Sequence, residues 1–348
     1  LLLLLMVVAL INFSPIQTFL AQKATDILSE RLQTKVKVAN VRIGILNSLL
    51  IQGVYVEDQS KDTLLYAGEI SVRITDWFIF KNKPVIQYVG LRNTSVNMNR
   101  GHDSKVWNYD FIADAFASPP TKNKKQSQPF EIDLKKVEME NVRFHMHDKW
   151  IGEDMEYNIG SLLVNSDGLN IPKKLIDIRT IAVSNTSIFI NEYKGGRPPH
   201  LRLKYLDTFD VTPFNPDMWA VNVKKVDLKD CSFMLKADDD APTPDEFDES
   251  HMDIRKINID VSDVHIIGDT VRGNINNVTA EERCGIAIRK MKCKATVSPI
   301  ASICEDLYLA TDYSELRNYY AMHYRHFPDF NHYLDSVTMV AHLRDAKV

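Results

Sequence analysis

The sequence lacks the residue patterns on which most enzymes depend. Its 348 residues contain no G-x-S-x-G elbow, no Walker loop, no glycine-rich dinucleotide fingerprint and no H-E-x-x-H pair. Its four cysteines include no C-x-x-C pair, whereas a structural zinc site needs ligands that are closely paired in the sequence. We therefore expect no enzymatic activity, no catalytic residue, no metal and no cofactor.

A surplus of basic residues is also missing. The formal net charge is −4, and no stripe of Lys and Arg marks a surface for nucleic acid, so we expect no nucleic-acid partner. Hydrophobic residues make up 45% of the chain and charged residues 25%, which is the composition of a folded protein. An oxidising compartment would allow a disulfide, but the spacing of the cysteines does not select a pair.

The first 35 residues differ from the rest. Residues 1–13 are apolar except for Asn12, and they predict part of a transmembrane signal anchor, because a full span takes about 20 residues. A buried core helix is the alternative. Residues 14–35 predict an amphipathic helix that begins at Ser14-Pro15 and either lies on the membrane or covers a sheet edge. Its expected apolar stripe consists of Ile16, Phe19, Leu20, Ala24, Ile27, Leu28 and Leu32.

From Val36 onward the hydrophobic period is two, which predicts strands with one apolar face and one solvated face. We expect residues 36–348 to form one repetitive β-domain that continues beyond the sequence. Residues 117–128 and 237–250 are polar and proline-rich, which predicts solvated loops. Short helices are expected near residues 106–116 and 330–337.

One phrase recurs along these strands. Its first copy has apolar residues at Val89, Leu91, Val96 and Met98 around Asn93, and the equivalent residues of the later copies are Asn141, Asn185 and Asp230. The apolar residues that flank each Asn or Asp are five apart, an odd step that would reverse the face of a regular strand. Either a bulge keeps all apolar side chains on one face, or the strand breaks there. Asn and Asp tolerate the left-handed backbone that both solutions need, and we favour a bulge or kink.

An apolar sheet face with so few helices needs a cover. A second sheet would give a sandwich or solenoid, whereas a trough would hold something apolar, such as lipid. Exposing an acyl chain of ~16 carbons to water costs roughly 10 kcal/mol, so a lipid that crosses an aqueous gap needs a continuous apolar lining.

The order of these segments resembles the N-terminal region of the AsmA/TamB family, relatives of the chorein-type bridge-like lipid-transfer proteins. The resemblance rests on the anchor and helix that end near residue 35, on residues 38–43 (VANVRI), and on residues 67–74 with 79–93, which end in V-x-L-x-N. Residues 307–311 and 327–339 are similar to strand-then-helix passages of the same proteins.

The resemblance implies an elongated, twisted antiparallel β-groove, an open trough that holds phospholipid acyl chains. A single N-terminal anchor would hold it in the inner membrane, and the body would cross the periplasm and carry phospholipid toward the outer membrane. The alternatives are a scaffold that guides outer-membrane protein assembly, with a barrel protein as partner, and a surface β-solenoid that binds other molecules. The residues expected to line the groove are Ile43, Ile45, Val72, Ile74, Val89, Leu91, Val96, Met98, Val137, Met139, Phe144, Met146, Ile181, Val183, Ile188, Ile190, Val226, Leu228, Phe233 and Leu235.

Overall fold

A computed structural model describes most of the chain. The described residues are 14–44, 48–74, 85–116, 131–198, 214–238, 241–243, 246–326, 329 and 333–343. The predicted anchor at residues 1–13, the predicted loop at residues 117–128 and the predicted lining residue Ile45 lie outside these ranges. None of the helices within them has the length and apolarity that crossing a bilayer requires.

The prediction of a mainly β fold is confirmed. The helices are α1 (Ser14–Leu32), α2 (Asp110–Phe116) and α3 (Tyr333–Ser336). The strands are β1 (Val36–Lys37), β2 (Asn40–Ile43), β3 (Ser48–Glu57), β4 (Thr63–Ile74), β5 (Val85–Arg100), β6 (Glu131–Asp148), β7 (Glu153–Asn170), β8 (Leu175–Ser184), β9 (Ser187–Glu192), β10 (Ala220–Ala237), β11 (Asp253–Ile267), β12 (Thr270–Glu282), β13 (Ala287–Ser298), β14 (Ala301–Thr311), β15 (Glu315–His323) and β16 (Thr338–Leu343). They form one 16-stranded sheet in the order β1-β3-β4-β5-β6-β7-β8-β10-β11-β12-β13-β14-β15-β16, with β2 beside β3 and β9 beside β7.

The chain divides into two compact units. Unit 1 comprises Leu1–Leu162 and Ile188–Arg197, and unit 2 comprises Leu163–Ser187 and Pro198–Val348. The sequence predicted one repetitive domain over residues 36–348.

The sheet is mixed, which corrects the expectation of a purely antiparallel one. β5 runs parallel to β6, and β8 runs parallel to β10. Each copy of the recurring phrase begins on one of these four strands, and the copies lie side by side in pairs: Val89 pairs with Val137, and Val183 pairs with Leu228. Parallel neighbours need a crossover connection, and the crossover between β5 and β6 contains α2. The spacing between copies of the recurring phrase therefore reflects two parallel pairings of strands.

The left-handed backbone expected at the Asn and Asp positions is confirmed. The φ angles are 50° at Asn93, 51° at Asn141, 49° at Asn185 and 51° at Asp230. The first two residues lie opposite each other, and the Asn141 Nδ2 donates to the Asn93 Oδ1 at 2.7 Å. The strands around the four residues differ. β5 and β6 kink together at Asn93 and Asn141, β10 has a register shift beside Asp230, and β8 ends just before Asn185. Both the bulge and the break that the sequence left open therefore occur.

The α1 helix covers the start of the sheet with only part of its expected apolar stripe. Ala21, Leu28 and Leu32 face the protein, whereas Phe19 is 65% exposed and Ile27 is 50% exposed. The hydroxyl groups of Thr25 and Ser29 lie on the sheet side and accept hydrogen bonds from the backbone amides that follow the helix. These hydrogen bonds turn the helix so that two of its large apolar side chains point away from the sheet.

The expected short helices are present in reduced form. α2 begins four residues after the predicted start, and α3 is a single turn before β16. The described part of 237–250 is organised around Asp248, which accepts hydrogen bonds from the amides of Thr243 and Ser250 and lies 3.1 Å from the His251 Nδ1. The amide of Thr243 is the main contact that keeps the pKa of Asp248 below its ordinary value.

A buried ion pair closes the parallel ladder of β5 and β6. Arg100 and Asp148 pair at the ends of these strands, and two guanidinium nitrogens of Arg100 bond to the two carboxylate oxygens. The Asp148 side chain is 2% exposed and also accepts hydrogen bonds from the amides of Trp150 and Ile151. The Trp107 ring lies 4.6 Å from the guanidinium carbon. The cluster therefore fixes the register where the two strands end.

We predict that Asn93→Val lowers the free energy of unfolding by about 1–2 kcal/mol, because a β-branched residue is strained at a left-handed φ. Urea denaturation followed by circular dichroism measures this change. Asn93→Gly is the matched control, since glycine adopts the same φ without strain and loses only the exposed amide contact. Equal stability of the Val and Gly variants would contradict the prediction.

We also predict that Asp148→Ala lowers the free energy of unfolding by about 3–5 kcal/mol, because it leaves Arg100 without its buried partner. The control is Glu140→Ala on the same strand, whose carboxylate is 67% exposed and pairs with Arg92 at 3.1 Å. An exposed ion pair contributes about 0–1 kcal/mol, so the control should change little. The same denaturation experiment compares the two variants, and equal losses of stability would contradict the stabilising role of the buried Arg100–Asp148 ion pair.

Candidate functional site

The apolar side chains of unit 1 form continuous rows across its strands. Residues that pair directly across a sheet point to the same face. Row A contains Ile43, Leu49, Val72, Val89 and Val137. Row B contains Val41, Ile51, Ile70, Leu91 and Met139. Row C contains Val54, Ala67, Val142 and one polar residue, Thr94, and row D contains Val56, Leu65, Val96 and Phe144.

The kink between rows B and C keeps them on one face. Ile51 and Ile70 of row B pack against the cluster that includes Val54 and Ala67 of row C. Regular alternation would place rows B and C on opposite faces, because Leu91 and Thr94 are three residues apart. The left-handed φ of Asn93 between them cancels that reversal. The expectation that the odd step preserves one apolar face is therefore supported by the packing in unit 1.

The other face of unit 1 carries charge. Glu69 pairs with Arg92, and Arg92 with Glu140, in the register that directly follows row B. The Arg92 guanidinium lies 3.6 Å from the Glu69 carboxylate and 3.1 Å from that of Glu140. Apolar and ionic side chains are therefore sorted to opposite faces of the same strands.

Two helices cover one end of the apolar face in unit 1. Leu32 of α1 belongs to the hydrophobic cluster of rows C and D, and Leu28 packs against it. Phe111, Ile112 and Ala115 of α2 pack against the same cluster. Row A lies outside this cluster, and its side chains are half-buried. The candidate surface for an apolar ligand in unit 1 is therefore the end that contains row A.

Unit 2 has two longer rows. Row E contains Ile181, Val226, Val261, Ile275 and Cys293. Row F contains Val183, Leu228, Ile259, Val278, Met291, Leu309 and Leu316. Row F crosses seven strands with an apolar residue at each, and all seven are half-buried. On the opposite face, Lys225 lies 3.8 Å from the carboxylates of both Asp227 and Asp260.

Row E ends in a thiol, that of Cys293, and a second thiol lies beside it. Cys293 is buried, Cys304 is half-buried on the next strand, and their side chains are hydrogen-bonded. The hydrogen bond with Cys304 and burial raise the pKa of Cys293, whereas the same hydrogen bond lowers the pKa of Cys304. Both cysteines are free thiols. The reactivity of the Cys304 thiol therefore measures how accessible this face is to solvent, and no further cysteine has to be introduced.

Within each unit, the structure aligns most of the predicted lining residues in rows. The predicted residues that belong to rows A to F are Ile43, Val72, Val89, Leu91, Val96, Val137, Met139, Phe144, Ile181, Val183, Val226 and Leu228. Ile74 and Met98 extend the rows of unit 1, since Ile74 pairs with Ile86 and Met98 with Met146. In unit 2, Phe233 pairs with Ile254, and the Leu235 amide donates to the carbonyl of Met252. Ile188 and Ile190 belong to unit 1, whereas Ile181 and Val183 belong to unit 2.

Several row members were not expected from the recurring phrase. They belong to strands on which the phrase does not occur, and they are Val41, Leu49, Ile51, Val54, Val56, Leu65, Ala67, Ile70, Ile259, Val261, Ile275, Val278, Met291, Cys293, Leu309 and Leu316. The simple alternation of apolar and polar residues in these strands carries the signal that identifies them.

We predict that a thiol reagent such as dithionitrobenzoate modifies Cys304 about tenfold faster than Cys293, because exposure and a lowered pKa both favour the reactive thiolate. Peptide mass spectrometry of the native protein at timed intervals measures the two rates. Cys304→Ser removes the fast site on this face and is the control. Faster modification of Cys293 would show that the row E face is arranged differently.

Each unit therefore has apolar rows on one face and charged side chains on the other. Within the described residues, no group of three or more metal-ligating side chains is assembled. No family model, curated protein or solved structure matches the chain. The inference of function therefore depends on the rows themselves.

Proposed function

We propose that the chain binds phospholipid through its apolar rows and conducts it across an aqueous compartment, without catalysis, in the manner of the AsmA/TamB proteins that its sequence resembles. The observation that carries the proposal is row F, in which seven consecutive strands each place an apolar side chain at the same level. An uninterrupted row is what an acyl chain needs, because a single polar step would leave methylene groups against a hydrated side chain.

The dimensions of row F suit an acyl chain. Neighbouring strands are about 4.8 Å apart, so seven strands extend over about 29 Å. One leaflet of a bilayer has a hydrocarbon depth of about 15 Å, half of the ~30 Å core. Each methylene group that leaves water contributes about 0.8 kcal/mol. A chain lying along row F therefore gains contact over its whole length and has room to move from strand to strand.

The first 32 residues support a membrane location in this proposal. Residues 1–13 are almost entirely apolar, and α1 follows them directly. α1 turns Phe19 and Ile27 away from the sheet, and large apolar side chains in that position suit the boundary between headgroups and acyl chains. In the proposed arrangement the start of the chain is held in the inner membrane and the two units lie in the periplasm, where they carry phospholipid toward the outer membrane.

The first test places a charge in row F. We predict that Ile259→Asp reduces co-purified phospholipid several-fold, because a carboxylate at the third strand interrupts the row and its desolvation opposes acyl-chain binding. The full chain is extracted from the membrane into nanodiscs of uncharged lipid and purified without detergent. Mass spectrometry then quantifies the phospholipid that is bound to the chain.

Two controls separate binding from folding. Ser262→Asp puts a carboxylate on the same strand but on the opposite face, where its partner strand presents Lys225, and it should leave lipid loading unchanged. Ile259→Ala removes packing area while keeping the row apolar, and it should retain most of the lipid. Equal loading of Ile259→Asp and Ser262→Asp would overturn the lipid-binding assignment of row F.

A further inference from the structure

Two thiols of unit 2 lie in contact on neighbouring strands. Cys304 of β14 pairs directly with Ala295 of β13, so these two side chains point to the same face. Cys293 precedes Ala295 by two residues and therefore points to that face as well. The side chains of Cys293 and Cys304 are hydrogen-bonded to each other, and Cys293 is 3% exposed. The two cysteines are therefore diagonal neighbours whose sulfur atoms face each other.

A bulge in β14 clears the position beside Cys293. Asp306 is the extra residue of the bulge, because the pairing of β14 shifts there with β13 and also with β15. Its φ angle is 51°, in the left-handed region, and its carboxylate contacts the Lys294 ammonium at 2.8 Å. Lys294 directly follows Cys293 and points to the opposite face. The Asp306 side chain is therefore turned to the charged face, and the Cys304 thiol adjoins Cys293 instead.

The other two cysteines make different contacts. Cys231 lies on β10, which β11 and β12 separate from β13, and its thiol contacts the carbonyl of Lys229 at 3.5 Å. Cys284 lies between β12 and β13, where a hydrogen bond with Glu282 raises the pKa of its thiol. The fold therefore selects one pair of cysteines, which their spacing in the sequence does not.

We propose that Cys293 and Cys304 are a redox-active pair that forms a disulfide by exchange with a disulfide-bonded oxidant, such as oxidised glutathione or an oxidised dithiol protein. The Cys304 thiolate attacks one sulfur of the oxidant, and the other sulfur leaves. The Cys293 sulfur then attacks the Cys304 sulfur and releases the second sulfur of the oxidant. The two protons of the cysteine thiols end on the two released thiols, so the oxidant gains the two electrons that the cysteines lose.

The order of the two attacks follows from exposure and charge. Cys304 is half-buried, whereas Cys293 is buried. The hydrogen bond between them lowers the pKa of Cys304, and the same hydrogen bond, with burial, raises that of Cys293. Because the thiolate is the nucleophile, Cys304 reacts with the oxidant first. Cys293 reacts second, with a sulfur atom that it already contacts.

The disulfide would join β13 to β14 where the bulge interrupts their backbone pairing. In the periplasm of the proposed function, an oxidising compartment, the pair would be closed. The chemistry of the pair does not depend on lipid, so failure of the lipid proposal leaves this inference standing, and the reverse also holds.

Incubation of the full chain with mixtures of reduced and oxidised glutathione tests the proposal. The reaction is quenched with acid, free thiols are alkylated, and tryptic peptides are identified by mass spectrometry. Trypsin cleaves after Lys294, so a disulfide between Cys293 and Cys304 joins two separate peptides. We expect this disulfide to exceed glutathione adducts of the same two cysteines at least about tenfold, because a neighbouring thiol has a far higher effective concentration than millimolar glutathione.

Single variants test the order of attack. Cys293→Ser should stop at a glutathione adduct on Cys304, because the second nucleophile is missing. Cys304→Ser should leave Cys293 largely unmodified, because the remaining thiol is buried. Circular dichroism checks that both variants keep the fold.

Two controls separate the fold from the sequence. Cys231→Ser with Cys284→Ser removes two thiols and should leave the yield of the disulfide unchanged. In denaturing urea the unaltered chain should pair Cys284 with Cys293 about as readily as Cys293 with Cys304, because the two loops are similar in length. A native chain that carries only glutathione adducts at Cys304, that pairs Cys304 with another cysteine, or that leaves both thiols unreacted would overturn the assignment.

Discussion

The structure depends on one backbone constraint, which is that side chains of a strand alternate between two faces. A single-layered sheet must keep its apolar side chains on one face while its strands bend, and a left-handed residue resets the alternation at the bend. In unit 1, Asn93 and Asn141 supply that reset at the same level, in line with Gly53 at φ 61°. Without it, Val96 and Phe144 would share a face with the ion pairs of Arg92, and rows C and D would have no helix to pack against.

The sequence predicts the local part of this arrangement. The odd step around Asn93 and Asp230 can be read directly, and only a few residue types tolerate the backbone that it needs. The direction of the strands cannot be read in the same way, because an apolar phrase reads the same beside a parallel or an antiparallel neighbour. The parallel pairing of Val89 with Val137 depends on where the intervening crossover packs, and that is a tertiary property.

For the candidate site, too, local sequence predicts some features, and the others depend on the tertiary structure. Alternation identifies apolar residues such as Met139 and Leu228, but membership of a row depends on register with strands far along the chain. The α1 stripe is split for a related reason. Apolar spacing groups Phe19 and Ile27 with Leu28 and Leu32, yet the hydroxyls of Thr25 and Ser29 bind the backbone of the following strands and set the rotation of the helix.

The parallel pairing also changes what the sequence period means. In unit 1, residues 48 positions apart in the sequence are partners, and in unit 2 residues 45 positions apart are partners. The two pairings are nevertheless both parallel. The connecting segment contributes to the spacing but not to the ladder, so insertions there alter the period and leave every row intact. An insertion of one residue inside β6 would instead invert the faces beyond it. Among homologous chains, spacing should therefore drift freely between the phrases, while length within each phrase is held constant.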